Sequence, residues 1–567
     1  VADATDGPFA VRNTAQNFYV GDDDIFDNVF CFEPGSAAFD GLTPNTPKAS
    51  LQQILDQYDL EGGDVVYVDT GTFTADADIR VNWSRSGNPE ADVVVQGNPN
   101  SPYATALVRS GPTNFPAIGL DVKASYFQLR DLNVRGIDRA VRLESNRNAT
   151  VQGVVLSDSA LALDVQGAAG TEIRNSGFWK TGIGINLQNT RTSVLENLTF
   201  ARSAIAGIQL ENTVVDTLQN NVFIPEPEAF AYSIGVATSL LAQAYMDYNV
   251  YDFSASGSGF YAGASNVFAI PETDPLRPWQ LGMMRDYRSY YGPAELADVG
   301  EYSWPPDLHP VSSNGRWVAT SGGGDWTFAD TNVSWAVDHG NPDSDFSLEP
   351  DVNGGRINVG MYGNTVQASQ GNTNAYYEIR SLDAENLLLQ GVDLNWPMIW
   401  SAHMVDGNEM VRVEFSNDGG LTWILLAIVP AYQEYYLWTA GIESQTDSGR
   451  WRVVGNVVDT NLVGQSQHDF TFIPIPFGIR RSPYNFGGLM RFDWQGGLPG
   501  KRYQIRYSDD FGKTWNLWEA KYNGPAPINM SDFSLSTTAT NYIFEDRTSY
   551  LKRQRWYRID PYVEPEP

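Results

Sequence analysis

Six segments between residues 126 and 252 align with one another: YFQLRDLNV, TVQGVVLSD, EIRNSGFWK, VLENLTFAR, TLQNNVFIP and AYMDYNVYD. With the second residue of each as origin, the register runs Phe127, Val151, Ile173, Leu195, Leu218 and Tyr245, at spacings of 24, 22, 22, 23 and 27 residues. A unit of that length cannot bury an apolar face alone and must stack on its neighbours, so the spacing predicts the coil of a parallel β-helix. Two residues after the origin stand Asn175, Asn197 and Asn220. They predict a ladder of side-chain amides bonded from coil to coil, at a turn whose left-handed backbone Asn tolerates. Five residues after it stand Leu132, Leu156, Phe178, Phe200, Phe223 and Val250, an apolar stack directed into the solenoid.

Beyond residue 373 the pattern changes to longer alternating strands with a duplication. SNDGGLTW at 416–423 is echoed by SDDFGKTW at 508–515, an offset of 92 residues. Val411, Val413 and Phe415 precede the first copy, and Tyr503, Ile505 and Tyr507 the second. Each copy is followed by a Trp-Arg strand, RWRVVG at 450–455 and RWYRID at 555–560. Two β-sandwiches, fibronectin-III-like or immunoglobulin-like, are expected at 373–474 and 475–567. The shared S-x-D-x-G-x-T-W pattern is the Asp box familiar from sialidases. A sialidase propeller needs several copies at blade spacing and an arginine cluster, so two copies read as hairpin turns instead.

FYVGDDDIFDNVFCFEPGSAAFDGLTPNTPKASLQQILDQYDLEGGDVVYVDTGTF, residues 18–73, resembles the opening of secreted, pectate-lyase-like right-handed β-helix proteins. Thr46-Pro47 is read as the start of a helix with an apolar face of Leu51, Ile54, Leu55 and Tyr58, plugging the open end of the solenoid. DLHPVSSNGRW at 307–317 and WAVDHGNPDSDFSLEPDVNGGRINVGMYGNTVQAS at 335–369 resemble the closing segment of the same group. The expected fold class is therefore all-β. An extended segment, 1–17, precedes a right-handed parallel β-helix with caps, 18–372, and the two sandwiches follow. The resemblance implies architecture more than activity, since this shell carries lyases, hydrolases and adhesins. The motifs of pectate lyases and of chondroitinase-B-like enzymes do not match residue for residue, so no catalytic residue is carried over.

The 52 Gly and 31 Pro suit a fold of many turns. A formal charge of −31, with only seven Lys and none between 181 and 500, repels nucleic acid and anionic lipid. Cys31 is the sole cysteine, excluding an intramolecular disulfide and a thiolate metal site, and His309, His339, His403 and His468 show no ligand spacing. No apolar run is long enough for a membrane span. The start VADATDG reads as a mature terminus after export, so a secreted or cell-surface location is expected.

Chemistry has three candidate locations. Asp158, Lys180 and Arg202 lie seven residues after the coil origin and should stack on one outer face, with Trp179 adjoining. A lyase uses a base to take the proton α to a uronate carboxylate that a cation neutralises, and this column offers both; a surface salt-bridge ladder is the plainer reading. Arg277, Trp279, Arg285, Tyr287, Arg288, Tyr290 and Tyr291 lie in a long excursion and suggest a sugar or protein contact, or simply loop packing. Two acidic runs offer oxygen ligands for Ca²⁺: Asp22, Asp23 and Asp24, and Asp338, Asp343, Asp345, Glu349 and Asp351.

Two functions compete. One is a secreted non-catalytic subunit of a surface layer, sheath or filament that self-associates. The alternative is a polysaccharide lyase, glycoside hydrolase or glycan-binding adhesin working along the β-helix groove.

Overall fold

The computed structural model describes residues 14–561 except 111–116, 192, 228–230, 237–244, 253–258, 263–265, 269–275, 277–278, 281–283, 321–322, 385–386, 391–394, 442–443, 474–477, 480–483, 487–488, 496–502, 510–513, 518–541 and 547–555. The chain forms two compact units, 1–375 and 376–567.

The first unit is a right-handed parallel β-helix with three faces. Its first face stacks Asn17–Val20, Val65–Val68, Val93–Gln96, Phe127–Arg130, Ala149–Gln152 and their successors as far as Tyr245–Asp247. The second face runs from Gly71–Ala75 through Thr105–Arg109 and Asn133–Arg135 to Val250–Tyr251 and Tyr290–Tyr291. The third runs from Ile79–Val81 to Gly259–Ala262.

Pairing corrects the register at both ends of the repeat. Val151 lies beside Leu129 rather than Phe127, and Leu218 beside Met246 rather than Tyr245. The coils are thus 22, 22, 22, 23 and 28 residues long. The inward stack likewise starts at Val134 in place of Leu132 and ends on Tyr251 in place of Val250. Its rings are parallel: Phe178 to Phe200 at 4.7 Å, Phe200 to Phe223 at 4.9 Å and Phe223 to Tyr251 at 5.2 Å. Identical register forces this, because parallel strands carry equivalent side chains one strand spacing apart.

The asparagines divide their roles differently from the expected ladder. Asn175, Asn197 and Asn220 do take the left-handed conformation, with φ of 46°, 55° and 57°. Asn175 and Asn220, however, turn their side chains toward the closing segment. Asn175 donates to the carbonyls of Met361 and Gly363, and Asn220 accepts from the Asn341 amide. The coil-to-coil amide ladder is one residue later and internal. Asn221 accepts from the Leu198 N–H, donates to the Leu195 carbonyl and donates to Asn249, which repeats the pattern on the Leu218 carbonyl. The left-handed residue reverses the chain, so the residue after it points inward where backbone groups need partners.

Helix α1, Leu51–Gln57, closes the N-terminal end with Leu51, Ile54 and Leu55 buried in the solenoid core. It begins later than Thr46-Pro47 suggested: the Thr46 hydroxyl is committed to Asp40, and Lys48 bridges Val20 in extended form. Ser50 caps the helix by accepting from the Gln53 N–H, while Gln53 reaches back to the Ala49 N–H. At the other end Trp279 stacks on Phe260 at 4.2 Å.

The second unit opens with a sandwich. Tyr376–Ile379, Asn395–His403 and Tyr435–Thr439 form one sheet; Leu388–Gln390, Phe470–Ile473, Thr446–Gly455, Met410–Ser416 and Ile424–Pro430 form the other, with Val463–Gln465 beside Thr446–Gly455. Trp396, Trp400, Phe415, Trp451 and Phe470 are buried together between them. The first Asp box closes the hairpin from Met410–Ser416 to Ile424–Pro430. Asp418 accepts from the Thr422 N–H and hydroxyl and from the Ser416 hydroxyl, and Gly419 and Gly420 take φ of 71° and 89°. Beyond it stand a four-stranded and a three-stranded sheet, the latter holding Tyr503–Ser508; part of the second Asp box lies outside the described residues.

Candidate functional site

A corner between the second and third faces carries Asp158, Lys180 and Arg202 in one column, all left-handed with φ of 50°, 51° and 62°. A branched or long side chain held there costs about 1–2 kcal/mol, which the ladder bonds of a parallel stack offset. The column is largely self-neutralised. The Lys180 ammonium is 3.6 Å from Asp158, and Arg202 makes two parallel bonds to Glu226 on the next coil. Arg202 is thereby a strut between coils, while Lys180 retains about a third of its side-chain exposure.

Trp179 lies beside Lys180 in sequence and points outward from the second face, yet it is buried. The segment Leu296–Pro310 and the turn containing Met361 and Tyr362 cover it. The Lys180 ammonium sits over its ring at 5.1 Å. Trp304, on that covering segment, packs 5.9 Å from Trp179 and edge-on to Tyr103 at 6.0 Å, and remains 36% exposed. Arg135, two coils before Trp179 in the same column, lays its guanidinium 4.4 Å from the Trp304 ring centre.

Behind these rings lies a polar chain. Arg316 binds Asp307 and Asp330, Asp307 is 2.6 Å from Nδ1 of His309, and the His309 ring stacks on Tyr362 at 3.5 Å. Asp307 is held below its usual pKa: burial opposes this, but His309 and Arg316 outweigh it. Burial, with Asp307 nearby, pushes the Tyr103 and Tyr362 hydroxyls well above the usual phenol range. Nε2 of His309 and Nε1 of Trp179 are buried without a hydrogen-bond partner among the described residues.

The excursion residues are elsewhere and engaged in packing. Arg277 lies outside the described residues. Trp279 is buried and donates to Asp286, which also accepts from Tyr251 and Asn249. Arg288 pairs with Asp247 at 2.9 Å, and Tyr290 stacks on Trp335 at 4.1 Å. Arg285 hydrogen-bonds by its backbone N–H to the Gln280 carbonyl. These contacts close the C-terminal coils.

The acidic runs also separate. Carboxylate oxygens of Asp22, Asp23 and Asp24 come within 4.8 Å of one another, a donor set of the kind hard cations use. In the closing segment Asp343, Asp345 and Asp351 are exposed, whereas Asp338 and Glu349 are buried. Burial raises their pKa values to about 7 and about 8.

Arg135, Tyr103, Trp304, Asp307 and Tyr362 were not singled out from sequence, because three distant segments bring them together. One signal was present. Residues 80–147 hold nine Arg and Lys against six Asp and Glu, while the rest of the chain holds 28 against 62.

A model of a right-handed β-helix region matches residues 118–266. Among solved structures the chain is similar to an alginate lyase from Paenibacillus sp. str. FPU-7, at 17% identity and TM-score 0.31, covering 38% of this chain and 80% of that one. It is also similar to the catalytic domain of a GH87 α-1,3-glucanase, at 16% identity and TM-score 0.30, covering 37% of this chain and 39% of that one. A third similar structure is a glycoside hydrolase, at 9% identity and TM-score 0.24, covering 44% of this chain and 95% of that one. No curated protein matches.

Proposed function

We propose that this is a secreted, polysaccharide-directed β-helix protein that binds an acidic glycan across its N-terminal coils. The observation that carries the reading is the concentration of cations there: nine of the chain's 37 Arg and Lys fall within residues 80–147, and of these Arg109 and Arg139 are paired with Asp78 and Asp164. Long-range repulsion between an acidic protein and a polyanion is weakest where cations concentrate, and screening confines the effect to roughly 8–10 Å of the surface. Trp83, 76% exposed on the same coils, supplies a flat ring of the kind that sugars stack on. Elimination is the chemistry such a site supports. Lys180 is the one cation of the corner column with a single, loose partner and so the better candidate base, Asp158 is its counter-ion, and Arg202 is occupied by Glu226.

Affinity electrophoresis through gels containing polygalacturonate, alginate or a neutral β-glucan tests binding. Retardation by the acidic polymers alone, weakening as salt rises, is expected; equal migration in all three gels would overturn the reading. Cleavage would appear as the ultraviolet absorbance of an unsaturated uronate, and Lys180→Ala should abolish it.

A structural, self-associating role has its own support. Ile424–Pro430 ends the path of its sheet, and Leu421, Leu425 and Ile428 on and beside it are 85%, 52% and 48% exposed. Exposed apolar edge strands invite pairing with another chain. Light scattering of Leu425→Lys against the unaltered protein, with Ca²⁺ and with chelator, tests that route and any part played by the Asp22–Asp24 turn.

A further inference from the structure

We infer that Trp304 and Arg135 form a sugar-acid subsite, in which one uronate residue of the glycan stacks on the indole and sets its carboxylate against the guanidinium. The inference rests on the acidic-glycan reading above and assigns it a place.

The first reason is the state of Arg135. Several cations of the coils around it are neutralised: Arg109 by Asp78, Arg139 by Asp164, Arg142 by Asp121, Arg174 by Glu172 and Lys180 by Asp158. Arg135 has no carboxylate within ion-pair distance among the described residues, and its guanidinium lies against the Trp304 ring. Stacking on an indole fixes the plane of a guanidinium while leaving its charge and N–H groups available, which suits paired recognition of a carboxylate.

The second reason is the support beneath the indole. Trp304 is braced by Trp179 and Tyr103 and still presents over a third of its surface, and Tyr302, two residues earlier, is 90% exposed. A ring held in place by its neighbours and still partly exposed loses little freedom when a sugar covers the exposed part. Packing alone would be served as well by apolar residues, yet this layer buries Nε1 of Trp179 and Nε2 of His309 with no partner among the described residues. Each such group costs about 1–3 kcal/mol. The layer therefore holds hydrogen-bonding capacity that the described residues do not use, next to the Trp304 ring and the Arg135 guanidinium.

The test uses the whole chain and oligomers of galacturonate, mannuronate and glucuronate, with a methyl-esterified galacturonate oligomer as the neutral counterpart. Binding is read by tryptophan fluorescence and calorimetry. The unaltered protein is expected to bind at least one acid oligomer. Arg135→Gln should weaken that binding at least tenfold and bring acid and ester to similar affinity, with Arg135→Lys intermediate. Trp304→Ala should weaken acid and ester alike, and Trp304→Phe, which keeps a flat ring should the smaller residue unsettle the fold, should retain most binding. Arg450→Gln, in the second unit, should change nothing. Acid binding that is unchanged in Arg135→Gln, or unchanged in Trp304→Ala, overturns the subsite and leaves the acidic-glycan reading standing. Absence of binding to all three acids by the unaltered protein overturns both.

Discussion

At the scale of single residues, buried carboxylates of opposite behaviour dominate. Asp338 and Glu349 have pKa values raised by burial to about 7 and about 8, so the folded chain holds their protons more tightly than the unfolded chain. Their contribution to stability is full below about pH 4 and is lost as pH rises through 7 to 8. Asp338→Asn and Glu349→Gln should therefore flatten the decline of thermal stability over that range, a change that melting curves from pH 4 to 9 would reveal. Glu409 is the reverse case. Burial opposes ionisation, but four backbone N–H groups, of Asn456, Val457, Val458 and Asp459, bind its carboxylate at 2.7–2.8 Å and hold it down to about 2. That stability is present above about pH 4 and lost as pH falls toward 2. Glu409→Gln should lower the melting temperature at pH 7, with the difference from the unaltered chain shrinking in acid. None of this is legible in the sequence, where Asp338 and Glu349 read as members of an acidic run offering oxygen ligands for Ca²⁺; only the fold of the closing segment turns these two inward.

At the scale of elements, the ladders inside the solenoid decide stability. Phe200 lies between Phe178 and Phe223 with no exposure, and Phe200→Ala should cost about 3–5 kcal/mol in chemical denaturation. Asn221→Ala leaves the Leu198 N–H and the Leu195 carbonyl unpaired inside the coil. At about 1–3 kcal/mol for each buried group left unsatisfied, it should destabilise by a comparable amount although far fewer apolar contacts are lost. The aromatic ladder was legible because a fixed repeat puts Phe178, Phe200 and Phe223 in one register. The repeat points to Asn220 and its equivalents for the amide ladder, whereas Asn221 forms it. Sequence pairs two adjacent asparagines and cannot say which faces the core until the left-handed turn fixes the direction of the chain.

At the scale of the whole molecule, the largest carboxylate pKa shifts in the two units are opposite in sign. Asp338 and Glu349 belong to the unit that ends at residue 375, Glu409 and Asp418 to the other. Asp418 is held down to about 2 chiefly by the Thr422 side chain, with the Thr422 amide and the Ser416 hydroxyl adding to it. Scanning calorimetry should resolve two transitions: the β-helix transition should fall as the solution is made alkaline, and the sandwich transition should fall as it is made acid. Movement of both in the same direction would mean that the units unfold as one.

The sequence by itself determined the solenoid, its coil length to within two residues, the plug helix and the Asp-box hairpin. Each is written in a local or strictly periodic pattern, and a pattern that repeats with the structure survives any error about what lies across the fold. Tertiary structure alone decided which charges are spent and which are free. Lys180 and Arg202 stand out in the sequence yet meet Asp158 and Glu226, while the unremarkable Arg135 stacks on Trp304 and meets no carboxylate among the described residues. Charge neutralisation depends on distances of a few ångströms between segments far apart in the chain, and those distances exist only once the coils are stacked and the closing segment lies across them.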